Sequence, residues 1–224
     1  MVTKMVMPAV VLVLLILTVA ILRRSVRSGS SATSVATQFL TLERKLEVLA
    51  DCGFRLSEPF TQEDLLKSWP REKLEKPGFE TLLLGLGMTE GGEPWRNQCV
   101  NLWCFDTECI EDHGDYKKIA ERMVEMAQGS LVLQNIEDYV DVDEGTAWLS
   151  FSFQGRPVKI ECKVEDDWVD PDVFATFVEL LAAADSSKIF VCYELGGQEV
   201  LIGCVTKTAF KKLNDLGIKF GPLT

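Results

Sequence analysis

Apolar positions recur along this chain with two different periods, and each change of period marks an element. Phe39, Leu42, Leu46 and Leu49 follow a three- and four-residue spacing up to Asp51-Cys52-Gly53, which predicts an amphipathic helix over 38–51 that stops at the glycine. Thr61 with Asp64 three residues on has the form of a capping pair. It opens a short helix over 61–68 that Pro70 ends. The runs Phe79–Leu86 and Val100–Phe105 read as strands, the first closing at Gly85-Leu86-Gly87. Asp115 reads as the cap of a helix striped by Tyr116, Ile119, Met123 and Ala127 and stopped at Gly129.

Strict alternation begins at Ala147, Leu149, Phe151 and Phe153, crosses Gln154-Gly155-Arg156-Pro157, and resumes at Val158, Ile160, Cys162 and Val164. This is a hairpin with one wet face. Asp170-Pro171 opens a helix over Val173, Phe174, Phe177, Val178 and Leu181. Residues 188–195 and 199–205 flank Gly196-Gly197 and are apolar at nearly every position, which predicts a second hairpin covered on both faces. A last helix runs from Thr206 through Phe210 and Leu213 to Gly217. Hairpins interspersed with helices predict an α+β fold, a mainly antiparallel sheet with flanking helices.

The first 37 residues are of another kind. Met5 to Leu22 are 18 residues without a charge, enough at about 1.5 Å per residue to cross roughly 27 Å of hydrocarbon. The expected organisation is a short tail at 1–4, one transmembrane anchor at 5–22, a basic Ser-rich linker at 23–37 and a single acidic domain at 38–224. Arg23, Arg24 and Arg27 outweigh Lys4, and by the positive-inside tendency the domain faces the cytoplasm. The alternative is a cleaved signal with Ser34-Val35-Ala36 as its site, which makes the domain exported or secreted. That site stands far from the apolar run, against the usual geometry. Seven cysteines, an odd number at irregular spacing, also favour a reducing compartment.

Charge narrows the partners. Of 224 residues 47% are hydrophobic and 25% charged, so the chain can bury a core, and its net charge of −11 opposes phosphate backbones. Nucleic acid is therefore not an expected partner. With four of the 23 basic residues in the first 36 positions, 19 remain against all 34 acids beyond them, a net of −15. Residues 105–172 alone hold 18 acids against 6 bases, so −12 of that charge lies within 68 positions.

Four stretches could carry chemistry. Cys99, Cys104, Cys109 and His113 are four zinc-type ligands within 15 residues, yet they lack the C-x-x-C knuckle, and an extended 99–105 would turn Cys99 and Cys104 to opposite faces. Buried thiols and a loop histidine are expected instead, with no metal and no cofactor. A thiol nucleophile, Cys104 or Cys109 with His113, is formally available. Asp106, Glu108, Glu111, Asp112 and Asp115 crowd a loop in which Asp106 and Asp112 could ligate a cation and His113 move a proton. Glu137 to Gly145 reads as a polar connection into a strand and fails as an EF-hand, with Thr146 and Ser152 where glycine and glutamate belong. Glu165 to Asp172 surrounds Trp168 with acids.

No P-loop, dinucleotide, nucleophile-elbow or zincin motif occurs. The expectation is a membrane-anchored, cytoplasm-facing acidic protein-binding module, of inhibitor, immunity or adaptor type, for a basic partner. Asp141, Asp143, Asp166 and Asp167 would steer that partner, and Tyr139 and Trp168 would anchor it. The competing expectation is a carboxylate-metal hydrolase using the 106–115 loop.

Overall fold

A computed structural model describes residues 40–90 and 96–224. Helix α1 (Leu42–Asp51) starts at Thr41, whose hydroxyl accepts from the Arg44 amide, three residues inside the start expected from spacing. It ends in a Schellman motif: Gly53, with φ of 98°, donates to the Ala50 carbonyl and Phe54 to that of Leu49. Helix α2 (Gln62–Ser68) carries the capping box formed by Thr61 and Asp64. After Pro70 come α3 (Arg71–Leu74) and α4 (Glu80–Gly87). The strand expected over 79–86 is thus a helix. Leu82, Leu83, Gly85, Leu86 and Gly87 are all buried, so the run has no period to distinguish the two, and leucine without β-branching favours the helix.

Strands β1 (Thr89–Glu90) and β2 (Arg96–Asn97) make a two-stranded ladder. A turn at 100–101 precedes β3 (Leu102–Asp106), so the stretch from Cys99 is not extended throughout. Cys99 and Cys104 consequently pack into the same core, not on opposite faces. Helix α5 (Asp115–Ala127) is capped by Gly114, not Asp115. Asp115 bends back instead, and its carboxylate accepts the amides of Glu111 and Asp112 at 2.9 and 3.0 Å.

The meander β4 (Leu133–Asp141), β5 (Thr146–Phe153) and β6 (Arg156–Cys162) follows, antiparallel throughout. The connection expected at 137–145 is mostly the end of β4. That strand sits at the sheet edge with Val140 as its one fully buried side chain, and a register shift between Gln134 and Glu137 breaks its alternation. Helix α6 (Asp172–Ala184) leads to β7 (Lys188–Glu194), β8 (Glu199–Thr206), α7 (Lys207–Asp215) and β9 (Gly221–Pro222).

The larger sheet has the order β3-β8-β7-β9 and is antiparallel. Its side chains alternate between two cores. Leu102, Val191, Leu201 and Val205 pack with α1, α4 and α7, whereas Phe105, Phe190, Ile202 and Cys204 pack with α5 and α6. Helices α5 and α6 also contact the meander, whose inner residues Val140, Leu149 and Phe151 join that second core. The α+β architecture with antiparallel hairpins is as expected. Among the described residues no helix is long and apolar enough to cross a membrane, and the 5–22 segment lies outside them.

Two buried cations serve the frame. Lys45 is 1% exposed and its ammonium donates to the carbonyls of Leu74, Lys76 and Gly78, tying α1 to the loop before α4. Burial lowers its pKa, while three acceptors for three N–H bonds favour the charged form. Arg122 of α5 donates to the carbonyls of Cys99, Val100 and Leu102 and fixes the turn before β3.

Candidate functional site

The three acidic segments meet. Backbone bonds lace the first to the third: Cys109 and Ile110 donate to the Asp167 carbonyl at 2.9 Å each, and Val169 donates to that of Thr107 at 2.9 Å. Trp168 bridges to both Glu108 and Glu165. The first segment is joined to the second by a side chain. Asp138 of β4 accepts from the Gly114 amide on both carboxylate oxygens at 2.9 Å, and from Lys117 at 3.1 Å. A carboxylate facing the open end of a helix meets the positive end of its dipole, so this contact holds α5 and β4 together.

Several of these acids meet amides in place of bases. Asp106 accepts from the Gln198 amide group and from the Glu108 backbone, and Asp141 from the Glu144 backbone. Asp170, 3% exposed, accepts from Lys163 and Asp172 backbone amides. Amides satisfy these oxygens without neutralising them. Bases reach a few: Lys118 pairs with Asp115, Lys163 with Asp172 and Lys159 with Glu161. Asp141, Asp143, Asp166 and Asp167 form no salt bridge among the described residues. The combined field is felt at Cys109, whose thiol is pushed up to about 12, first by burial and then by Asp115, Asp106 and Asp167.

The two aromatics expected as anchors, Trp168 and Tyr139, lie along these segments in different settings. Trp168 is 43% exposed. It stands on a tight turn in which Asp166 takes φ of 56° and the Trp168 amide donates to the Glu165 carbonyl. Tyr139 is half-buried on the outer face of the meander. Its ring lies 4.7 Å from His113 on one side and 6.2 Å from Trp148 on the other, stacked at 12°, and the Lys159 ammonium is 5.1 Å from the Trp148 ring. This row of His113, Tyr139, Trp148 and Lys159 was not anticipated from sequence. Its only signal there is an aromatic at each of two outward positions in strands that pair, Tyr139 opposite Trp148.

The competing chemistry finds less geometry. His113 Nδ1 lies 3.1 Å from Asp112 Oδ1, both exposed, while Asp106 is turned to Gln198. Cys99 is buried and bonded to Asn101, Cys104 packs in the core beneath α4, and among the described residues no three His, Cys, Asp or Glu side chains are grouped to hold a metal ion. Every thiol with a resolved shift is raised: Cys99 stands at about 11, and Cys162 and Cys204 at about 12, burial being the first cause in each. A nucleophilic thiol requires the opposite displacement. No protein-family model, no curated protein and no solved structure matches this chain.

Proposed function

We propose that residues 38–224 are an acidic protein-binding module for a basic partner, carried on a membrane by residues 5–22 with the domain on the cytoplasmic side. One observation carries the reading: segments 106–115, 137–144 and 165–172 are bonded to one another, so their charges act from one belt. Fields of one sign that add over a continuous surface accelerate encounter with an opposite charge, by about 10- to 1000-fold, more than they deepen the final complex. Trp168 and Tyr139, set among these acids, supply the rigid aromatic contacts that binding hot spots favour.

The test uses the 224-residue chain in detergent to capture proteins from membrane extract at low salt, followed by association kinetics of each captured protein. The comparison is a variant carrying Asp141→Asn, Asp143→Asn, Asp166→Asn and Asp167→Asn. An on-rate at least about tenfold slower in the variant, and a wild-type rate that falls as salt rises, are expected. Equal capture with equal on-rates at every salt concentration would reduce the belt to a solvated surface. For the anchoring, protease added outside intact cells should leave the domain uncut, and efficient digestion refutes the orientation.

A further inference from the structure

Beside Trp168 the larger sheet leaves Cys192 and Val200 half-buried above the core. Phe105 of β3, Val200 and Ile202 of β8, Phe174 of α6 and Leu223 after β9 floor an open groove of about 610 Å³, with Trp168 as a wall. Its floor is built firmly. Phe105 meets Phe174 edge-on at 5.4 Å and Trp103 at 4.5 Å, and Val169 beneath the wall is fixed by its bond to Thr107. The mouth has one sign: Glu165 and Glu194 are its charged lining residues, and no lysine or arginine lines it. Glu165 comes from the third acidic segment, so the groove opens within the belt itself.

We propose that this groove is the anchor pocket of the binding face, receiving one large apolar side chain of the partner that is flanked by lysine or arginine. The inference rests on the binding-module reading and sharpens it from a charge preference to a local sequence preference. An apolar floor alone would accept any exposed leucine or phenylalanine. A carboxylate rim adds a requirement, since a neutral or acidic segment entering the mouth leaves Glu165 and Glu194 desolvated without a partner, whereas a basic flank pairs with them. The geometry therefore selects a basic–apolar–basic segment.

The probes are three fluorescein-labelled, acetylated peptide amides: Lys-Lys-Leu-Lys-Lys, the same peptide with alanine for leucine, and Gly-Gly-Leu-Gly-Gly. Their affinities for the 224-residue chain are measured by anisotropy. The leucine peptide with lysine flanks should bind at least about fivefold tighter than its alanine counterpart, a difference within the worth of a buried leucine. That preference should disappear in Trp168→Ala and in Glu165→Lys with Glu194→Lys. All three positions are exposed, so unchanged melting curves are expected for both variants and confirm that each is folded. Should leucine and alanine peptides bind equally while both outbind the glycine peptide, the groove is not the anchor and the acidic face stands. Should neither lysine peptide outbind the glycine peptide, the acidic-face reading falls and the anchor falls with it.

Discussion

Replacing Asp138 by alanine removes the carboxylate that ties the first acidic segment to the second by hydrogen bonds. In the native structure its carboxylate accepts three contacts from two backbone amides, Gly114 and Lys117, at the open end of α5. Loss of a helix-capping side chain costs about 1 kcal/mol, and loss of a carboxylate at a helix start adds about 0.3–1 kcal/mol. The contact is half-buried and spans two elements, so these combine to about 2 kcal/mol, with asparagine, which keeps an acceptor oxygen, costing about half. In a domain of this size each kcal/mol moves the melting temperature by about 2–4 °C, so alanine should lower it by about 6 °C. Urea unfolding followed by tryptophan fluorescence should show a lower midpoint with an unchanged slope, and the Gly114 and Lys117 amides should exchange faster with solvent. A loss under about 0.5 kcal/mol, or unchanged exchange at both amides, would refute the argument that β4 holds the helix start.

Three further substitutions test the frame. Gly87→Ala would place a Cβ 2.8 Å from a Leu201 methyl and 3.0 Å from the Cys104 backbone nitrogen, which cannot move aside, so a loss of about 1–3 kcal/mol in urea unfolding is expected and a neutral result contradicts the close approach of α4 to β3. Lys45→Met keeps the apolar stem but leaves the carbonyls of Leu74, Lys76 and Gly78 without their donor. It should cost about 2–4 kcal/mol, and a loss below about 1 kcal/mol would mean that water takes the ammonium's place. Asp185 is held near a pKa of about 2 by the Ser187 hydroxyl, the Ser130 hydroxyl and the Ser187 amide, against an ordinary 3.8. A depressed carboxyl contributes stability above its unfolded value that is lost as pH falls through the folded one. Asp185→Asn should therefore flatten the loss of stability between about pH 5 and pH 2, and an unchanged acid limb would refute it.

What the sequence revealed follows from where periodicity survives. The hairpins of β5–β6 and β7–β8 were legible because one has a wet face and strict alternation while the other is apolar throughout around a Gly-Gly turn. The α2 capping box was legible because its chemistry lies within four residues. Helix α4 was not, since Leu82, Leu83 and Leu86 are buried with Gly85 and Gly87 between and beside them, and packing against β3 and β8 decides their conformation. Strand β4 was hidden by its own position: an edge strand with a bulge needs few buried side chains, and its acids resembled a loop. Missing β4 also concealed the site. The acidic segments and Trp168 could be named from sequence, but their union depends on Asp138 reaching α5 across 24 residues and on backbone bonds between 107–110 and 167–169.

The belt's carboxylates divide by what they do for the fold, and this division separates stability from recognition. Asp138, Asp115 and Asp170 spend their oxygens on backbone amides and so hold helices α5 and α6 and their loops in place. An amide is a dipole without net charge, so the bonds of Asp138 and Asp170 to amides bring no cation beside them, whereas Asp115 also pairs with Lys118. Asp143, Asp166 and Asp167 accept no hydrogen bond through their carboxylates among the described residues, and Asp166 sits at a positive φ that asparagine tolerates as well as aspartate. Asparagine at these three positions removes charge and leaves the frame intact. A slower encounter in such variants is consequently an electrostatic effect, whereas a slower encounter in Asp138→Ala mixes lost charge with a loosened helix start. The proposed recognition is therefore tested at 143, 166 and 167, and the assembly of the belt at 138.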